Sequence, residues 1–267
     1  FEHIPASWVE RARLHLIDSS TCVKRVRPLE QRSEALPEPP KGFVSVPAGR
    51  YVAGPVDISP GTDALSVRDA QRHITLTRPF FAQATEVTRD QWRALMRRMP
   101  KGMPPCDGKL CPVSGVSWRQ AVRYVNALSA SENLETCYTL KGKDVTFGGL
   151  DCVGYRLPTD AEWEYLARAG QGGNRYGLVA DIAQASSPTQ PAAGPRPVAG
   201  LAANPWGLFD TLGNVEEWCH DLHEQLSSVS RVDPVGPRFG LHRLVRGGSY
   251  ASGHGDIRFS KRRRLEA

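Results

Sequence analysis

No apolar run in the 267 residues approaches the ~20 that a membrane-spanning helix needs, so no span is expected. A signal peptide is also missing, and Phe1 is not an initiator, so the numbered chain reads as a mature form or a fragment. Cysteine pairs of C-x2-C spacing are absent and the seven histidines are scattered, which gives a zinc site nothing to build on. The formal charge is +6, much of it in the run Lys261-Arg262-Arg263-Arg264, but only Phe259 stands near that run. Nucleic-acid binding wants basic residues interleaved with aromatics, so the run reads as a solvated tail and no nucleic-acid partner is expected.

What is present is the composition of a soluble globular protein, 40% apolar and 23% charged, long enough for one large domain or two small ones. Gly (25) and Pro (21) together make about one residue in six, which argues for a loop-rich fold. Six cysteines remain to be explained. Cys106 and Cys111 close a short loop, and Cys137 and Cys152 flank a Gly-rich segment. They read as two local disulfides, Cys106–Cys111 and Cys137–Cys152, and hence as the mark of an oxidising compartment. Reduced, buried thiols in a cytosolic protein are the alternative. Cys22 is a candidate partner for Cys219.

Residues 1–40 read as an N-terminal amphipathic helix followed by a Pro-rich linker or arm, and residues 41–267 as the main domain. Phe43 to Gly54 reads as two short strands joined at Pro47-Ala48-Gly49; His73–Thr77 and Phe80–Gln83 follow as strands. Three helix starts carry a Thr or Ser with a Gln or Glu three residues on: Thr88 with Gln91, Ser117 with Gln120 and Thr159 with Glu162. Apolar stripes behind them predict helices near Arg89–Arg97, Trp118–Ala130 and Ala161–Ala169. Asp160, Glu162 and Glu164 fall in the first turn of the third, where capping and the helix dipole account for them. Cys137–Leu140 and Val145–Phe147 predict a hairpin, Gly170 to Asn204 a long loop, and Asp256–Phe259 a late strand after the Gly247-Gly248 turn. The sum is an α+β fold of short, mostly antiparallel strands and about three helices.

The chain is organised around Gly207 to Asp221, where two apolar runs flank a turn made of Gly213 and Asn214. Both residue types take left-handed backbone angles at low cost. Asp210 and Glu217 bracket the turn, and their carboxylates could converge on a hard cation with loop carbonyls completing an oxygen shell. An ordinary turn with solvated acids is the alternative.

This stretch resembles the G-L-x-D/N-x-x-G-N-V-x-E-W signature of the formylglycine-generating-enzyme (sulfatase-modifying factor) family. Three further stretches agree with it in order: Thr85-Glu86-Val87-Thr88 with Trp92, Gly154 through Tyr165, and Val245-Arg246-Gly247-Gly248-Ser249-Tyr250. The resemblance implies a C-type-lectin-like fold from about Gly42 onward, with Phe43–Gly54 as its opening hairpin. It also implies a structural calcium ion held by side-chain oxygens of Asp210 and Glu217 and backbone oxygens of Gly213 and Val215. A second calcium site of the family is not carried over, because Arg175-Tyr176-Gly177-Leu178 lacks the Trp and Asp expected there.

Enzymes of the family resemble an oxidase that converts a sulfatase cysteine to formylglycine with copper(I) held by two cysteines. The resemblance places those cysteines at Ser252 and Ile257, neither of which binds copper(I), and no cysteine follows Cys219. Glu216 stands where the enzymes usually have Trp. Copper is therefore not expected. Ser249, Ser252, His254 and Asp256 do not form a hydrolase triad either, since they crowd one turn instead of converging from separate elements. With Glu216, Ser249, Ser252, His254 and Ile257 forming a degenerate pocket, the expectation is a non-catalytic module that binds a protein or glycan partner in the periplasm, cell envelope or secreted space. The copper-dependent oxidase is the alternative.

Overall fold

The computed structural model describes residues 38–56, 71–187, 189 and 191–266. The expected N-terminal helix, the Pro-rich arm and Cys22 lie outside the described residues. From Glu38 onward the chain forms one compact unit.

The helices form where local chemistry placed them. Helix α1 (Arg89–Leu95), α2 (Trp118–Ser131) and α3 (Asp160–Arg168) each start on a complete capping box: Thr88 with Gln91, Ser117 with Gln120, Thr159 with Glu162. In each, the cap hydroxyl accepts the third N–H and the third side chain accepts the cap's own N–H, so two orphan donors are satisfied at once. Helix α3 ends on Ala169 at φ 45°, a left-handed cap beside Gly170. A one-turn helix α4 (Val179–Ile182) interrupts the long loop that follows.

The strands are short: β1 (Phe43–Val46), β2 (Gly49–Ala53), β3 (Arg72–Leu76), β4 (Phe80–Gln83), β5 (Tyr138–Lys141), β6 (Asp144–Phe147), β7 (Glu217–Leu222), β8 (Arg231–Val232), β9 (His242–Arg246) and β10 (Arg263–Glu266). They pair as β1-β4, β2-β3-β8, β5-β6 and β10-β9-β7, antiparallel except for β3 with β8. The β5-β6 hairpin is the predicted one, tied by Cys137–Cys152; Cys106–Cys111 forms as well.

Three expectations are corrected. β1 and β2 do not pair with each other; β1 joins β4 and β2 joins β3. Pro47 and Ala48 therefore mark a crossing between sheets, not a hairpin. Asp256–Phe259 is no strand: a 3-10 turn covers His254–Asp256, and Ile257 and Phe259, both fully buried, plug the core from a turn. Two apolar residues at period two are a strand's pattern, but a compact turn can bury them equally well. Finally, Lys261–Arg264 is not a free tail, although Arg263 and Arg264 are exposed on β10. Lys261 pairs with Asp256 at 2.5 Å, Arg262 with buried Asp160 at 3.2 Å, and Arg263 with Glu216, within and just before β10.

The main core packs Trp163, Leu166 and Ala167 of α3 against Ile74, Leu76, Leu212, Leu244, Ile257 and Phe259. A second cluster gathers Trp118, Val122, Cys137, Tyr138 and Leu157. Between α3 and β9 runs a buried ionic seam. Asp160 meets Arg246 (2.7 Å), Arg262 (3.2 Å) and Arg72 (3.4 Å), while Glu164 meets Arg246 (2.6 Å) and Arg168 (2.7 Å). Burial alone would raise Asp160, but the three guanidinium groups hold it below the usual carboxylate range. Capping accounts for Glu162, which also grips Arg156 through two bonds of 2.7 and 2.8 Å; it does not account for Asp160 and Glu164. Among the described residues no helix is long and apolar enough to cross a membrane.

Candidate functional site

Gly207 to Asp221 runs through the interior as an irregular loop that ends in β7. Asp210, Gly213 and Asn214 all take left-handed angles, φ 57°, 90° and 50°. Gly213 is obligatory on a second ground: a Cβ there would sit 2.5 Å from the Gln184 carbonyl. Its N–H donates to Gly247 O (2.9 Å) and that of Asn214 to Gln184 O (2.8 Å). The organising stretch is thereby sewn to the Gly-Gly turn after β9 and to the loop after α4.

Asp210 Oδ2 accepts the Ala199 N–H at 2.7 Å, and Glu217 Oε2 accepts the Trp163 indole N–H at 2.7 Å. Burial raises Asp210 above the usual carboxylate range and pushes Glu217 up to about 7, the Trp163 hydrogen bond opposing and the charge of Asp210 adding. A third carboxylate lies beside them. Glu86, buried just ahead of α1, accepts from Asn214 Nδ2 (2.6 Å) and from the Val215 N–H (2.8 Å). Burial raises it strongly, with the charges of Asp210 and Glu217 adding. None of the three carboxylates has a Lys, Arg or His ion-pair partner among the described residues. Glu86 was legible only as part of a motif; its role in gripping the turn from 128 residues away was not.

Two buried carboxylates, Glu86 and Asp210, and half-buried Glu217 have N–H donors but no ion-pair partner among the described residues, and a divalent cation is a partner their chemistry suits. Among the described residues, no group of three or more His, Cys, Asp or Glu is arranged to hold a metal, so carbonyl oxygens would have to complete the shell. The carbonyls of Gly213 and Val215 accept no backbone hydrogen bond among the described residues, whereas that of Asn214 between them accepts from the Tyr250 N–H at 2.8 Å. Buried carbonyls are normally satisfied. The donor set Asp210, Glu217 and these two carbonyls is thus hard oxygen throughout and fits calcium.

The degenerate pocket sorts differently. Ser252 and Ile257 do come together, around Gly248 (φ 75°): a Cβ on that glycine would lie 3.0 Å from Ile257 Cδ1 and 3.2 Å from Ser252 Oγ. Ser252 Oγ is spent on the Ser249 N–H at 3.0 Å, and the Ser249 hydroxyl accepts from the Ala251 N–H. Ile257 is fully buried in the core, its side chain folded inward by the turn. His254 is exposed and contributes its carbonyl, which accepts from Arg175 Nη2 at 2.7 Å. Glu216 is engaged by Arg263, whose Nε and Nη2 donate to its two carboxylate oxygens. Ser249 and Ser252 are thus bonded within their own turn, and Ser252 and Ile257 are the pair at the copper positions. They do not fit copper(I): the pair holds a hydroxyl and an alkyl group, and the one free thiol among the described residues, Cys219, is fully buried.

The fold is that of a C-type-lectin-like domain, with carboxylates and carbonyls gathered along the loop Gly207–Asp221. The sequence profile of the sulfatase-modifying factor enzyme 1-like domain matches residues 30–267, and the chain belongs to that family. The chain is 30% identical over 192 residues to the chaperone protein LppX of Paenibacillus barcinonensis, covering 58% of this chain and 66% of that protein. It is 33% identical over 159 residues to the formylglycine-generating enzyme of Thermomonospora curvata, covering 52% of this chain and 44% of the enzyme. The chain thus spans about half to two thirds of these relatives' lengths. Among solved structures, Treponema denticola variable protein 1 superposes with a TM-score of 0.72 at 27% identity, covering 84% of this chain and 89% of that one.

Proposed function

We propose that this chain is a non-catalytic member of its family: a calcium-held scaffold whose surface binds a protein or glycan partner in the cell envelope. The observation that carries the reading is the pair at Gly248. The two positions that would hold copper(I) still meet, but as Ser252 and Ile257, one hydrogen-bonded into its own turn and the other in the core. A copper oxidase needs two thiolates at one point. Four of the five described cysteines are in disulfides, and Cys219 is buried with its thiol raised well above the ordinary range, first by burial. The two disulfides support an extracytoplasmic setting. Calcium would be held by Asp210, Glu217 and the carbonyls of Gly213 and Val215, with Glu86 fixing the turn between them. It would supply the positive charge that the buried carboxylates lack.

The alternative is the oxidase activity named for the Thermomonospora relative. Oxygen uptake and peptide mass, followed with copper(I) and a cysteine-containing sulfatase peptide, separate the two. The proposed reading requires uptake equal to the protein-free control and an unchanged peptide. Conversion of the cysteine to formylglycine would overturn it.

A further inference from the structure

Residues Met96 to Cys111, between α1 and the Cys106–Cys111 disulfide, form a loop whose backbone is firmly held. Arg89 Nη2 donates to Pro104 O at 2.6 Å, and the same guanidinium reaches Pro112 O at 3.4 Å. The Trp92 indole donates to Arg98 O at 3.0 Å, and the Val198 N–H to Leu110 O at 2.9 Å. On this fixed frame Arg97, Arg98, Lys101 and Lys109 are exposed, and none of them enters an ion pair among the described residues. Arg93, just before them on α1, is by contrast paired with Asp90 at 2.6 Å. The only acid within the loop is Asp107.

The loop has a second peculiarity. The chain contains three methionines, and all of them, Met96, Met99 and Met103, fall here, half-buried and outside both core clusters. Leu110, at the disulfide turn, is 56% exposed. Methionine packs adaptably against varied partners, and Met and Arg are enriched where proteins meet. Unpaired cations alone would suit any polyanion. Cations set among thioethers and an exposed Leu suit an anion that also carries apolar groups, which a sulfated or uronic polysaccharide does not.

We propose that the loop Met96–Cys111 is a docking surface for an acidic polypeptide segment with interspersed apolar side chains. The inference deepens the binding-module reading and rests on it. The probe is a fluorescein-labelled peptide of about a dozen residues, Glu and Leu in equal number, titrated with the full chain by anisotropy at low and at high salt. Binding should weaken with salt, and R97E/R98E should weaken it at least about tenfold. L110S should weaken it severalfold. K141E/K143E, which makes the same change in net charge at the β5-β6 turn, should leave it within about twofold. Equal melting temperatures certify that each variant is folded. The proposal is overturned by no measurable wild-type binding, by wild-type affinity in R97E/R98E, or by an equal loss in K141E/K143E, which would reduce the effect to net charge. Heparin binding more tightly than the peptide, with L110S neutral, would also overturn it in favour of a glycan site. Oxygen uptake is independent of these variants, so failure here is distinguishable from failure of the non-catalytic reading.

Discussion

Arg246 Nη2 donates to Glu164 Oε2 over 2.6 Å, with neither side chain more than 3% exposed, and so ties β9 to α3 through the middle of the core. Arg246 Nε lies 2.7 Å from Asp160 Oδ1, and its Nη1 donates to the Phe259 and Lys261 carbonyls at 2.7 and 2.8 Å. One guanidinium thus joins a helix, a strand and the turn that carries Ile257. Glu164→Ala would leave Arg246 and Arg168 buried without this partner, and the Gly54 N–H without its acceptor. Removing one member of a buried pair costs about 3–5 kcal/mol. Urea denaturation should show a loss of that order, and a loss below about 1 kcal/mol would mean that the seam is not a stabilising element.

The Cys137–Cys152 bridge closes the β5-β6 hairpin beside the second core cluster, with a sequence separation of 15. A loop of that length constrains the unfolded chain by about 3 kcal/mol, more than the shorter Cys106–Cys111 loop does. The C137S/C152S variant should therefore lose more stability than C106S/C111S. Peptide mapping without reductant should recover both predicted pairs.

What could be read from the sequence was what is local. The three capping boxes span four residues each, so Thr88, Ser117 and Thr159 announced their helices without help from the fold. The left-handed turn at Gly213 and Asn214 was legible for the same reason. The strand partners were not, because β1 chooses β4 over its neighbour β2 on grounds of packing alone. The roles of Asp160 and Glu164 were hidden too, since Arg246 lies more than eighty residues away. The family resemblance sets Ile257 at the second copper position. Its alkyl side chain instead follows the hydrophobic core, and that preference was available from the residue type itself.

His220 on β7 offers a test at acid pH. Its ring lies 4.2 Å from that of Phe147, and its Nδ1 is 3.1 Å from Tyr138 Oη. Burial pushes it down to about 4, with Arg243 and Arg156 adding repulsion. The unfolded chain binds this proton near pH 6.5 while the folded chain resists it to about pH 4. Stability is therefore fully present above pH 6.5 and is lost as pH falls through the interval, by up to about 3 kcal/mol. His220→Gln should flatten the fall in melting temperature between neutral pH and pH 4.5. An unchanged slope would place the acid sensitivity elsewhere.

The central claim is that a calcium ion closes the charge on Asp210 and Glu217 and holds the Gly213–Asn214 turn. At a hundred times Kd such an ion stabilises the folded state by about 2.7 kcal/mol, which raises the melting temperature by roughly 5–11 °C for a domain of this size. The direct measurement is calorimetric titration of calcium into chelator-stripped protein, alongside Asp210→Ala. The account predicts one equivalent bound by the wild type, with a matching rise in melting temperature, and neither effect in the variant. A wild type that takes up no calcium and melts at the same temperature with and without chelator would contradict it.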